Sequence, residues 1–316
     1  MQLVEGLKKR NLRALAKAIS LAENDPLEAQ EIFGEFISQA PLSFKVGLTG
    51  PPGSGKSTLI RNIVSKAVGE NMKVGVLAVD PSSPFSGGAL LADRLRISIP
   101  NLDFSRVFIR SLSSRGHLGG LSPGIITSVK LMDYYGFDLL LLETVGVGQA
   151  EVEVMYLADL VGVVLVPNLG DDIQAMKSGL MEVADLFVIN KCTLPGAEKL
   201  KQELEFLINS SPRFQGALWR PPVIYTDALT GEGVDQLWEF VKNCQRDENF
   251  LKFLEKKRKR QVHFQIYQSL INYFRLKAED VMKPLSLEKY SSGEVRELIK
   301  KIIAECQKGQ RNAEKD

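Results

Sequence analysis

An α/β architecture, with a mostly parallel central sheet and helices on both faces, is predicted by three observations. From Phe44 onward, apolar runs of strand length alternate with stretches of helical spacing. Several runs, among them Leu139–Leu142 and Val161–Val166, are continuously apolar, as strands buried on both faces require. The first run leads straight into a glycine-rich loop and then into a helix. In such sheets ligands bind outside the carboxyl ends of the strands, so the residues just past each run are the ones that carry chemistry.

The 316 residues suit one large α/β domain with appendages, and an apolar fraction of 44% is ordinary for a globular chain. A net charge of +2 and a pI near 8.3 give no argument for nucleic acid or a membrane surface. No apolar run approaches the ~18–20 residues of a membrane span. The three cysteines, Cys192, Cys244 and Cys306, are far apart, which points to a reducing compartment and to the cytosol as the expected location.

Residues 1–40 read as a helical extension, in which Leu3, Leu7, Leu12, Leu15 and Ile19 fall near one face. Asn24-Asp25-Pro26 ends one helix and starts the next. Residues 41–245 then form the nucleotide domain, beginning with FKVGLTGPPGSGKSTLI at Phe44–Ile60. This is GxxxxGK[ST] in its strand–loop–helix setting, the signature of a P-loop NTPase. Gly50, Pro51, Pro52, Gly53, Ser54, Gly55, Lys56, Ser57 and Thr58 are the candidate phosphate cradle. The glycines let backbone N–H groups close around a polyphosphate, and the helix starting at Lys56 aims its positive end at the same anion. Lys56 is expected on the β/γ-phosphates and the Ser57 hydroxyl on Mg²⁺.

The strand Val74–Val79 ends in Asp80. With Pro81-Ser82-Ser83 it either caps a turn or stands beside Mg²⁺. The Ser/Gly/Pro-rich loop that follows carries Asp93 and Arg96, candidates for closing over the γ-phosphate or for surface ion pairing. After the run Val107–Ile109, Asp138-LLLLETVGVGQ places Glu143 and Gly146 at a strand tip, a Walker B pattern with Glu for Asp. The carboxylate suits a metal or its water, and Gly146 permits close approach to a γ-phosphate. Val147 occupies the position after Gly146, where a Ras-type protein has a water-orienting Gln, so intrinsic hydrolysis is expected to be slow. Past Val161–Val166, the pair Asp171-Asp172 is placed to N-cap the helix that follows.

The strand Leu186–Ile189 delivers Asn190-Lys191-Cys192-Thr193. In an NKxD motif the Asn orients the loop, the Lys stem packs on the purine and the Asp takes two hydrogen bonds from guanine. Thr193 in the fourth position predicts a guanine preference weakened by roughly 2–4 kcal/mol, with binding retained through phosphate and Mg²⁺. A last strand, Val223–Tyr225, leads to Asp227-Ala228-Leu229, expected to offer a backbone contact to the base. Residues 246–316 read as a helical arm. Glu255–Arg260 is a solvated basic face or, as the alternative, a nucleic-acid contact. Phe264, Tyr267, Leu270, Ile271 and Phe274 form an apolar face suited to the core or to a second subunit. A final helix is expected at Gly293–Cys306. His117 and His263 have no metal-ligand neighbours at motif spacing.

Taken together, GPPGSGKST, VLAVDPSS followed by GG and DRLR, RGHLGGL, LLLLETVGVGQ, the GDD loop and NK at a strand end resemble the MeaB/ArgK family. Its members are P-loop GTPases that accompany adenosylcobalamin-dependent methylmalonyl-CoA mutase. The resemblance implies a GTP/GDP-binding, Mg²⁺-dependent chaperone that gates cofactor loading of such an acyl-CoA mutase, and a homodimer formed through the C-terminal arm. It implies that Lys56 and Ser57 hold phosphate and Mg²⁺ while Asp80 and Glu143 support the metal. Asp93 and Arg96 match a first switch, Gln149 a second, and the Asp171–Lys177 loop a third that reports nucleotide state to the mutase. The rival classes are a small-molecule kinase of ArgK type, a nucleotide-binding scaffold, and a metal-insertion GTPase for hydrogenase or urease. The last would need a Cys/His cluster, and the chain has two histidines.

Overall fold

The computed structural model describes residues 2–37, 42–80, 103, 105–113, 122–144, 156–167, 180–282, 297, 299 and 300. Its strands are β1 (Phe44–Thr49), β2 (Val74–Asp80), β3 (Val107–Ser113), β4 (Leu139–Thr144), β5 (Leu160–Leu165), β6 (Leu186–Ile189) and β7 (Val223–Tyr225). They form one seven-stranded sheet in the order β3-β2-β4-β1-β5-β6-β7, and every pairing is parallel. The predicted strands are all present, and three central ones owe their clarity in the sequence to burial on both faces: all six residues of β1, β4 and β5 are buried.

The helices are α1 (Gln2–Lys8), α2 (Leu12–Asn24), α3 (Pro26–Ile37), α4 (Lys56–Gly69), α5 (Pro123–Tyr135), α6 (Ala197–Ser210), α7 (Val234–Cys244) and α8 (Glu248–Met282). A main core joins the sheet to α4, α7 and the start of α8. It contains Leu48, Ile60, Ile63, Val76, Leu141, Val164, Trp238 and Phe250, all nearly inaccessible. Burying a side chain of this size contributes about 1.5–3 kcal/mol.

Of the N-terminal helices, α2 and α3 pack on α5, and α1 packs on α2. The expected break at Asp25 is present: α2 ends at Asn24, and the Asp25 carboxylate accepts from Glu28 N at 3.0 Å to start α3. A second break was not anticipated. Arg10 turns left-handed (φ 51°), and the Asn11 side chain then caps α2 by accepting from Ala14 N at 3.1 Å. Gly124 lets α5 approach α2: a Cβ there would lie 2.4 Å from the Ala22 carbonyl.

The edge of the sheet opposite the phosphate loop is tied by buried charges. Lys45 donates to Asp133 Oδ2 (2.9 Å) and lies 3.6 Å from Asp159. Asp159, at 0% exposure, also receives the Arg258 guanidinium at 2.9 Å and the Lys45 amide at 2.9 Å. Asp185 accepts from Lys257 and from Val161 N. The first turns of α8 are therefore held to the starts of β5 and β6 by ion pairs, and EKKRKR is more than a solvated face. Residues 1–261 form one compact unit and 262–316 a second. In the second unit the described residues through 282 are helical, and Val262, Ile266, Tyr267, Leu270 and Phe274 are exposed.

Candidate functional site

The candidate site lies beyond the carboxyl ends of the parallel strands, where β1, β4, β6 and β7 each hand the chain to a loop. The phosphate loop after β1 is set by three glycines in the left-handed half of backbone space, Gly50, Gly53 and Gly55 (φ 139°, 76° and 91°). Two of these are also forced by packing. A Cβ on Gly50 would lie 2.1 Å from the Val164 carbonyl, and one on Gly55 would lie 2.2 Å from Asn190 Nδ2. Helix α4 then starts at Lys56 with no side-chain cap on its first amides. Those amides and the dipole behind them are a preformed anion cradle.

Lys56 is buried and donates from Nζ to the carbonyls of Gly50 (2.7 Å) and Pro51 (2.9 Å), arching across the loop it belongs to. The Ser57 hydroxyl donates to Glu143 Oε1 at 2.5 Å. Glu143 sits at the inner end of β4, in register with Leu48 of β1 and Ala78 of β2, and is 1% exposed. Burial pushes its carboxyl above the usual range, against the Ser57 hydrogen bond and the Lys56 charge. Its other oxygen, Oε2, is buried and has no hydrogen-bond partner. A hydroxyl and a buried carboxylate with one oxygen to spare are the hard oxygen donors that Mg²⁺ takes, so these residues fit the ion.

Asn190, 1% exposed, ties the two halves of the site together. Its Nδ2 donates to the Ser54 carbonyl of the phosphate loop at 2.7 Å. Its Oδ1 accepts from Thr226 Oγ1 (3.1 Å) and from Ala228 N (3.0 Å) in the loop after β7. Asn62 of α4 braces the same loop through the Ala228 carbonyl at 2.9 Å. Lys191 follows in the left-handed region (φ 54°). A cleft of about 440 Å³ results, lined by the phosphate loop, Glu143, Asn190, Lys191, Asp227, Ala228 and Leu229.

Gly55→Ala would drive a methyl into an Asn190 amide that is held at both ends. We expect nucleotide affinity to fall at least about 10²-fold and stability by about 1–3 kcal/mol, the size of a strained, over-packed position. Calorimetric titration alongside thermal melting checks both.

In the loop after β7 the amide of Asp227 donates to Glu232 O and that of Leu229 to Asp227 Oδ1, while that of Ala228 donates across to Asn190. The Asp227 side chain also lines the cleft. Its Oδ2 accepts from the Thr193 hydroxyl at 2.9 Å. Burial opposes ionisation of Asp227. Hydrogen bonds from Thr193, Thr230 and Leu229 and the Lys191 charge outweigh it and hold the carboxyl below the usual value. The signal available in the sequence was an acidic residue two positions past the short strand β7.

Asp80 closes β2 opposite Ser113 of β3. Asp93, Arg96, Gly146, Gln149, His117 and the Asp171–Lys177 loop lie outside the described residues, as does most of the expected Gly293–Cys306 helix. Among the described residues no group of three or more His, Cys, Asp and Glu side chains could hold a metal ion, and none of the described helices is long and apolar enough to cross a membrane.

Comparison with known proteins agrees with this geometry. The family described as "Methylmalonyl Co-A mutase-associated GTPase MeaB" matches residues 15–280. A Pyrococcus horikoshii protein whose name carries a provisional GTPase assignment is 46% identical over 261 residues, 82% of this chain and 82% of that one. The GTPase ArgK of Escherichia coli is 34% identical over 251 residues, 75% of this chain and 73% of that one. A crystal structure described as an LAO/AO transport system kinase shares the fold at a TM-score of 0.63 and 23% identity, covering 97% of each chain.

Proposed function

From the premise that the chain belongs to the MeaB family of GTPases, we propose that it is a Mg²⁺-dependent nucleotide switch which gates cofactor loading of an adenosylcobalamin-dependent acyl-CoA mutase. The observation that carries the nucleotide half is the meeting of Lys56, Ser57 and Glu143 at the mouth of an uncapped helix, with Glu143 Oε2 left unpartnered. The mutase half rests on the family alone.

In this reading the amides of Gly53 to Thr58 bind the phosphate tail, and Lys56 turns from the loop carbonyls to the β/γ-oxygens. Its ammonium then faces the charge that develops as the terminal phosphoryl group leaves. Ser57 and Glu143, with Asp80 as a further carboxylate, would hold Mg²⁺. When bound, the ion would supply positive charge to offset that of the phosphate tail. Asn190 fixes the base loop against the phosphate loop, and the Lys191 stem covers the purine. Asp93 and Arg96 complete the γ-phosphate side. Water is the acceptor, and with Val147 where a water-orienting Gln would stand, turnover without a partner is slow. The exposed apolar face of α8 from Val262 to Phe274 supports a homodimer. The domain bounds 1–40, 41–245 and 246–316, and a cytoplasmic location, belong to the same proposal.

Purified protein with Mg²⁺ and GTP should hydrolyse on the order of 10⁻⁴ to 10⁻² s⁻¹, the span of unassisted Ras and Gα proteins. Adding an adenosylcobalamin-dependent mutase from the same host should raise that rate and should bind the GTP and GDP forms with different affinity. Turnover of tens per second alone, or phosphate transfer to an acceptor other than water, would contradict the switch.

A further inference from the structure

Two loops meet at the base end of the cleft. The loop after β6 presents Thr193 at the position where an NKxD motif has its aspartate, and the loop after β7 presents Asp227. Thr193 Oγ1 donates to Asp227 Oδ2 at 2.9 Å, so a carboxylate from the second loop adjoins the residue that stands in the aspartate's place in the first. The other oxygen, Oδ1, accepts from Leu229 N (3.0 Å) and Thr230 N (3.2 Å), which fixes the carboxylate's orientation. Asp227 lines the cleft beside Asn190, Lys191 and Ala228. A hydroxyl and a carboxylate have in effect exchanged places across the pair of loops.

We propose that Asp227 is the group that selects the base, its Oδ2 taking the N1–H and 2-amino protons of guanine as a shared, three-centre hydrogen bond on the lone pair that Thr193 leaves open, and that Thr193 is a positioning residue that steers it. The inference rests on the nucleotide-switch reading of this cleft and deepens it. It replaces the expectation, drawn from Thr193 alone, that guanine preference is relaxed. Guanine offers two adjacent donors on this edge, and an ionised carboxylate is their complement. Adenine has no hydrogen on N1 and none on C2 that can be donated to a carboxylate, and it leaves the open lone pair of Oδ2 covered and without a donor. Xanthine keeps the N1 donor but places an oxygen where guanine has its amino group, facing the carboxylate with like polarity.

Asp227→Asn separates selection from loop support. The amide oxygen can still cap Leu229 and Thr230, while an NH₂ replaces the oxygen that faces Thr193 and the base. Competition binding of GTP, XTP, ITP and ATP, each with Mg²⁺, would be measured for the native protein, D227N, T193V and the exchange variant T193D/D227S. The native protein should prefer GTP over ATP and XTP by about 10²- to 10³-fold, and over ITP by a smaller factor. D227N should lose GTP affinity by roughly 30- to 1,000-fold and gain XTP, so that XTP becomes the better ligand. T193V should lower the GTP-to-ATP ratio about five-fold, the effect of one lost hydrogen bond. The exchange variant should bring the GTP preference back to within about ten-fold of native, rewriting the motif in its commoner order.

A D227N protein that keeps the native GTP-to-XTP ratio, or weakens all four triphosphates equally, would overturn the proposal and leave Asp227 as loop support, with the nucleotide reading intact. If D227N does not fold, an exchange variant that binds GTP no better than ATP would overturn it in the same way. A native protein that takes up no triphosphate at all would remove both readings, an outcome distinguishable from the other two.

Discussion

Lys56→Ala is expected to abolish measurable GTP turnover and to weaken Mg²⁺–GTP binding sharply. The side chain is 5% exposed and its ammonium is held by Gly50 O at 2.7 Å and Pro51 O at 2.9 Å, so it stands over the cradle before a ligand arrives. Losing one preorganised group that meets developing charge costs about 10²- to 10³-fold in kcat. The ground-state loss adds to this, because a charged hydrogen bond contributes about 1.5–3 kcal/mol. Gly50 and Pro51 are buried, so releasing their carbonyls should also lower stability, by about 1–3 kcal/mol, the cost of leaving a buried polar group unpaired. Single-turnover hydrolysis and calorimetry with GTP test the prediction, and unchanged uptake would end the phosphate-loop assignment.

Lys45→Met should be the most damaging change to stability, at about 3–5 kcal/mol, the size typical of removing one partner from a buried charge cluster. The Lys45 ammonium contacts Asp133 Oδ2 at 2.9 Å and the Ser43 carbonyl at 3.1 Å, and is 3.6 Å from Asp159. Asp159 keeps Arg258, and Asp133 keeps the amides of Leu42 and Ser43 at 2.8 Å and 2.7 Å, which limits the loss. In a unit of this size the melting temperature should drop by roughly 10 °C. Adding Asp133→Asn should recover part of the loss, since the pair is coupled. A double-mutant cycle in denaturant reads this directly, and purely additive effects would show that the contact carries no coupling.

How far the sequence spoke depended on whether a feature was local. Continuous apolar runs exposed β1, β4 and β5, because burial on both faces leaves no polar alternation to confuse the pattern. The phosphate loop was legible because its glycines, Lys56 and Ser57 are contiguous, and Glu143 because it ends a run of leucines. The Arg10–Asn11 break was less visible, since the leucine spacing carries on through it and only the Asn11 cap marks it. Contacts between distant segments could not be read. Lys45 and Asp133 are 88 residues apart, and Thr193 and Asp227 are 34 apart, so no spacing rule joins either pair. The basic stretch on α8 resembled a solvated face because its partners, Asp159 and Asp185, precede two strands far upstream.

One amide side chain, Asn190, grips the phosphate loop with its nitrogen and the loop beyond β7 with its oxygen. The ordering entropy of bringing those two segments into register is therefore met when the chain folds rather than when a nucleotide docks. Capture of the ligand should then run near the rate of diffusive encounter, without a slow rearrangement of these segments, and differences in affinity among nucleotides should surface in how long each one stays.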